Sequence, residues 1–351
     1  MHSHLFWGNN DLQMPFKKIN VMNTKNRLLT IAEVNDLVAS NRILVLAGAE
    51  EALRQIKKGS WIGGTIPYFM NDTGGCISKD KVFVTDYTDV ATDMRICDYD
   101  PTNFQTLTND RYDGGLSKIV IPGFSPIHFK FALEINSFSN LFDVPLMGWI
   151  TGVNLAELGK VTPKAVNGST QTFFENSAVV LHCKLPQNKY ANLEIINLFE
   201  QGSGDVITFN EDSFSCKDCK INGQSVNLAD YLKKNNIDIR LPLVADYSGA
   251  MINTSFQHID VENGSVLFYA PVLKNYEYRI ARPVENYIQS FNKAIPSDTS
   301  KVIDSCNCIL NYLYSELEGK KTGRLTGPFT FGEIAYVLVN QTMVLLSVED
   351  K

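Results

Sequence analysis

The segment that most constrains the fold is the run from Cys306 to Lys351, CNCILNYLYSELEGKKTGRLTGPFTFGEIAYVLVNQTMVLLSVEDK. It packs a helical face, a glycine break and a buried strand into one short stretch. Ile309, Leu310, Leu313 and Leu317 recur at three- and four-residue intervals, which predicts a helix over Cys306–Leu317. Gly319, Gly323 and Gly327-Pro328 then interrupt regular structure, because glycine admits positive φ and proline removes a donor. Phe329, Phe331 and Ile334 surround Gly332-Glu333, and Thr342–Leu346 is an apolar run suited to a buried strand.

The rest of the chain bounds what this end can belong to. Its 351 residues suffice for two domains or one large one, and 44% hydrophobic with 20% charged residues are ordinary globular values. The net charge of −6, without a basic block, argues against nucleic acid as a partner, since neutralising phosphates needs clustered Lys and Arg. No apolar run nears the roughly 18 residues that suggest a membrane span. The opening residues have neither a basic region nor an apolar core of a secretory signal. Seven irregularly spaced cysteines fit a reduced interior better than a disulfide framework, so the sequence predicts a soluble cytoplasmic protein with no membrane partner.

Residues 1–27 read as a polar arm. Thr30 with Glu33 three residues later has capping-box spacing and predicts a helix to Ser40. Strands are expected at Arg42–Ala47, Lys81–Asp86, Lys118–Ile121, Ala178–Cys183, Asn192–Phe199 and Ser265–Ala270, with Arg95–Asp100 at an edge. Further helices are expected at Glu50–Lys58, His128–Phe138, Leu228–Lys234 and Arg282–Phe291. The segment Trp61-Ile62-Gly63-Gly64-Thr65 reads either as a side-chain-free surface that a ligand can approach or as a turn under Trp61.

GPFTFGEIA followed by Asn340-Gln341-Thr342 resembles the carboxy-terminal signature of FIST proteins, although Cys306-Asn307-Cys308 lacks that family's Cys-x-Gly-Arg element. The resemblance implies an α+β fold with mixed or antiparallel sheets flanked by short helices. It implies a FIST N-like domain over 28–225 and a FIST C-like domain over 226–351. It further implies a sensory, signal-transduction protein that binds a small polar ligand, amino acids among them, and signals through a separate protein. The ligand-binding residues it points to are Gly63, Gly64, Thr65, Cys306, Arg324, Glu333, Asn340 and Gln341, with no cofactor and no metal.

Motifs for other chemistry are sparse. Cys216-Lys-Asp-Cys219 is a single C-x2-C pair; His182, Cys183 and His258 supply no second motif, so it reads as a solvated loop pair rather than a zinc site. No nucleophile elbow or phosphate-binding glycine loop occurs. The alternative function is an enzyme using a Cys or Glu in a cleft between the halves. Glu333 among aromatics needs a partner, either a ligand ammonium or a donor such as Arg324. Asn340 and Gln341 can read a zwitterion or bind neighbouring backbone.

Overall fold

The run after Arg42 is apolar at every position because its strand is covered on both faces. The computed structural model describes residues 26–351 other than Ser248, so the expected arm lies almost wholly outside the described residues. In the strand Leu44–Gly48, Leu44 and Leu46 face the helices Ile31–Ala39 and Glu50–Leu53, packing with Val34, Val38 and Leu53. Val45 and Ala47 point the other way, into the main core. The first helix starts as its sequence predicts: Glu33 N–H donates to Thr30 Oγ1 and Thr30 N–H to Glu33 Oε2, a capping box.

This strand pairs in parallel with Trp61–Thr65 and antiparallel with Lys81–Asp86, within a six-stranded sheet. The turn considered at Trp61–Thr65 is therefore a strand, buried throughout. Its glycines are explained by closeness to neighbours. A Cβ on Gly64 would come within 2.9 Å of side-chain atoms of Thr151, Val120 and Trp149, which belong to or follow strands of a second sheet stacked beneath.

The second six-stranded sheet is built on Leu116–Ile121, parallel to Leu146–Ile150 and antiparallel to Ala178–Lys184. Asp93–Tyr99 forms one edge, as expected, while Glu333–Ala335 and Val337–Val339 extend the other. In the third sheet Thr342–Asp350 runs antiparallel between Lys189–Asn197 and Val302–Cys308. Val344 and Leu346 fill the main core, and Met343 and Leu345 pack under helix Tyr287–Ala294 with Phe291.

The helix expected at Glu50–Lys58 ends at Leu53, and two others begin later than expected. Cys306–Cys308 belongs to a strand paired with Val344, Met343 and Phe329, and only Ile309–Tyr314 is helical. Apolar spacing was continuous across this strand-to-helix junction, so periodicity did not mark it. The helix expected at Arg282 begins at Tyr287, where Asn286 accepts from Gln289 N–H at 3.0 Å. Helix Leu228–Lys234 has its expected bounds, with Asn227 as its cap.

The architecture is α+β, with mixed and antiparallel sheets and short helices. The expected division at 225/226 falls inside the strand Gln224–Asn227, and four of the five sheets take strands from both sides of it. A second core, drawn from residues between Ile207 and Tyr278, lies among a fourth six-stranded sheet, a three-stranded sheet and the helix Leu228–Lys234. Among the described residues no helix is long and apolar enough to cross a membrane.

One ionic cluster ties three of the four six-stranded sheets together. Lys118 Nζ lies 2.6 Å from Asp304 Oδ2, with side chains 1% and 2% exposed. Tyr87, just after the strand Lys81–Asp86, donates its hydroxyl to the same Oδ2 at 2.6 Å. Each residue comes from a different sheet's chain segment.

Candidate functional site

The turn Pro122-Gly123-Phe124-Ser125-Pro126 joins the strand Leu116–Ile121 to the helix Pro126–Glu134 and leaves the chain little conformational choice. Gly123 passes so close to Thr151 that a Cβ would sit 2.3 Å from its carbonyl oxygen. Ser125 is extended, as the residue before a proline must be, and caps the helix by accepting from His128 N–H at 3.3 Å. The reversal is left to Phe124, which takes φ 60°. A left-handed aromatic residue costs on the order of 1–3 kcal/mol, and such strain concentrates at functional positions. Its N–H donates to His128 Nδ1 at 3.2 Å, and its ring meets Phe331 edge-on at 5.9 Å.

Phe124 forms one wall of a cleft of about 630 Å³. Leu158 and Val161, from the loop after Leu146–Ile150, add apolar lining. The three side chains are 36%, 44% and 38% exposed, so the cleft presents a concentrated apolar surface to solvent. Polar groups rim it: Lys160, Glu175, Asn176 and Gln257, the last contributed by the strand Phe256–Asp260. Asn176 is fixed by accepting from Ile127 N–H at 3.1 Å. Glu175 is 3.5 Å from Lys164, whereas Lys160 has no acidic partner among the described residues. The cleft lies beyond the carboxyl ends of the parallel pair Leu116–Ile121 and Leu146–Ile150, where open α/β sheets commonly hold ligands.

The residues expected from sequence are not gathered here. Gly63 and Gly64 are enclosed between sheets, and Thr65 lines a small neighbouring recess that shares Val161 with the cleft. Thr65 Oγ1 accepts from Lys164 N–H at 2.9 Å. Arg324 lies apart, in a shallow depression with Arg27 and Asp72, and makes no bond to Glu333. Glu333 is wholly buried on the strand Glu333–Ala335, not in a turn, and its oxygens accept from the hydroxyls of Thr330 at 3.2 Å and Thr342 at 3.0 Å. With no cation beside it among the described residues, burial raises its carboxyl well above the usual range, despite the threonine donors. Of the two partners its sequence calls for, a ligand ammonium or a protein donor such as Arg324, the structure supplies protein donors, and they are threonine hydroxyls rather than Arg324.

Asn340 and Gln341 bind neighbouring protein groups. Asn340 Oδ1 accepts from Ser255 N–H at 3.1 Å, Gln341 Oε1 from the Ser255 hydroxyl at 2.6 Å, and Gln341 Nε2 donates to the Arg240 carbonyl at 3.0 Å. Cys306 donates weakly to the Gly148 carbonyl at 3.5 Å. Burial pushes the Cys306 and Cys308 thiols well above the ordinary range. Iodoacetamide should therefore label both slowly in the native protein and quickly after denaturation, read by peptide mass spectrometry. Fast native labelling at either position would contradict this burial.

One nucleophile–base pair escaped the sequence reading. Ser117 Oγ is 2.8 Å from His182 Nδ1, His182 Nε2 is 3.0 Å from the Tyr99 hydroxyl, and Tyr99 donates to Asp110 at 2.8 Å. Ser117 and His182 are 1% and 0% exposed, and burial lowers His182 to about 4. The chain is a satisfied buried network, remote from the Phe124 cleft. Phe124 itself carried no sequence signal beyond the PGFSP turn residues, since a left-handed φ is a property of the fold. Among the described residues no group of three or more His, Cys, Asp or Glu is placed to hold a metal ion.

A family model described as a family of unknown function (DUF6976) matches residues 29–349, and the chain belongs to that family. This overturns the resemblance to FIST proteins drawn from GPFTFGEIA and Asn340-Gln341-Thr342. No curated protein and no solved structure matches the chain.

Proposed function

We propose that this protein binds a small metabolite in the Phe124 cleft, one with an apolar body and an anionic end. The observation that carries the reading is the cleft itself. Its volume falls within the roughly 300–1,000 Å³ of small-molecule sites, and a strained aromatic residue lines it together with two exposed aliphatic ones. Lys160, unpaired among the described residues, supplies a cation at the rim. Asn176 and Gln257 supply amide donors and acceptors that can orient a carboxylate or hydroxyl. All seven cysteines are free, which supports a reducing, cytoplasmic setting for this binding role. A sensory role, with a separate protein carrying the signal, rests on the same cleft.

Binding is favoured over turnover because the one hydroxyl at the turn is already engaged. Ser125 Oγ donates to the Pro122 carbonyl at 2.6 Å and accepts from His128 N–H, leaving it unpoised for attack.

Thermal-shift screening against small carboxylates and amino acids tests the proposal. A ligand at a hundred times its dissociation constant should stabilise the protein by about 2.7 kcal/mol. Leu158→Asp, at an exposed position, should leave the ligand-free melting point in place and remove the shift. The absence of any hit across a broad library, or a shift that survives Leu158→Asp, would refute binding in this cleft.

A further inference from the structure

The Cys216-Lys217-Asp218-Cys219 pair is not the solvated loop pair expected from sequence. Cys216 ends the strand Ser213–Cys216, opposite Val266, and Cys219 is the second residue of Asp218–Ile221, opposite Val226. These strands belong to different sheets around the second core. In a straight strand, residues three apart point to opposite faces. Here Lys217 lies between the strands, and its carbonyl accepts from Leu228 N–H at 2.8 Å. The chain bends at that point, and both cysteines pack against the same core. Cys219 is fully buried and Cys216 half-buried, so one sulfur is open to a small reagent and the other is sheltered behind it.

Hydrogen bonding within the pair pushes the Cys216 thiol up and holds Cys219 below its ordinary value, so one sulfur of the C-x2-C motif takes on thiolate character. A metal would need further ligands, and no group of three or more His, Cys, Asp or Glu is placed for one among the described residues.

We propose that Cys216 and Cys219 form a reversible disulfide, making the bend at Lys217 a redox-modification site that accepts hydroperoxides. Cys216, the sulfur a small reagent reaches, passes its proton to Cys219 and attacks one oxygen of the hydroperoxide; an S–O bond forms, the O–O bond breaks, and water or an alcohol leaves with a proton from solvent. The second sulfur then attacks the resulting sulfenic acid; an S–S bond forms, the S–O bond breaks, and a second water leaves. Two electrons pass from the sulfurs to the peroxide oxygens, and a dithiol returns the pair to its reduced form. The ring it closes is short, so the entropic gain in stability is small and the site reports redox state more than it braces the fold.

The test treats the full chain with hydrogen peroxide in slight excess, alkylates remaining thiols in denaturant, and maps peptides by mass spectrometry. Loss of two hydrogens from the intact mass, with Cys216 and Cys219 unalkylated and linked, and recovery of both by dithiothreitol, is the expected result. Cys216→Ser should abolish the two-hydrogen loss. Full alkylation of all seven cysteines after treatment overturns the proposal. So does over-oxidation of Cys216 without linkage, or linkage of another pair. Protection of the two thiols by stoichiometric zinc from the same peroxide treatment would also overturn it, in favour of a metal site. Peptide mapping of the unmutated protein decides the question even if the variant folds poorly.

Discussion

Asp304→Ala should lower folding stability by about 3–5 kcal/mol, the cost of leaving one partner of a buried ion pair unmatched. Asp304 is the only acidic partner of Lys118 among the described residues, and neither side chain reaches water. The other contact given for the Lys118 ammonium is the Met147 sulfur at 3.6 Å, a weak acceptor. Losing the carboxylate would also orphan the Tyr87 hydroxyl. Urea unfolding of the variant gives the loss directly. The double change Lys118→Met with Asp304→Leu separates charge from packing, because replacing both members of a buried pair by apolar groups is often neutral or stabilising. Recovery of most of the stability in the double variant is expected. A single variant that loses less than about 1 kcal/mol would mean that the pair is solvated in solution and does not join the sheets.

That cluster shows where sequence reading stopped. Lys118 opens the run Lys-Ile-Val-Ile, legible as a strand, but a lysine at the head of an apolar run ordinarily reads as its solvated end. Its burial follows from a third sheet packing over the strand, and Asp304 is 186 positions away in sequence. Elements set by local chemistry were legible. The Thr30 capping box, the helix Leu228–Lys234, the edge strand around Arg95 and the buried terminal strand all lie where their residues predicted. Elements set by contact between layers were not. Gly63 and Gly64 look like a loop because a strand that must approach another sheet needs the same missing side chains. Phe124 is invisible for a related reason, since its left-handed backbone is imposed by Gly123 against Thr151 and by Pro126. The family resemblance failed for want of breadth: alternating Phe and Gly beside a Glu suits any short strand sealing a sheet, and the match over residues 29–349 outweighs it.

Glu333→Gln should stabilise the protein increasingly as the pH rises. From sequence, Glu333 needs either a ligand ammonium or a protein donor such as Arg324, and only a protein donor makes its loss costly to the ligand-free protein. Among the described residues its polar partners are hydroxyl, thiol and backbone groups, inside the core. Thr330 Oγ1 has the carbonyls of Gly332 and Asn307 within 3.2 and 3.4 Å, so it can donate there and accept the carboxylic proton. The sign follows from proton counting. Below the ordinary glutamate value of 4.5 both folded and unfolded chains hold the proton, and the native state keeps its full stability. Above that value the unfolded chain releases it while the folded chain retains it, because burial has raised the folded pKa. Stability contributed by this site therefore falls by about 1.4 kcal/mol per pH unit until the folded pKa is reached. Glutamine has the same shape and no proton to lose, so its curve lacks that slope. Urea titrations of both proteins between pH 4 and pH 8 should give similar stabilities at the acid end and a gap of a few kcal/mol favouring the variant at the other. A gap that stays constant with pH would show that burial does not raise the folded carboxyl pKa, and one that shrinks as the pH rises would show a countercharge holding it ionised.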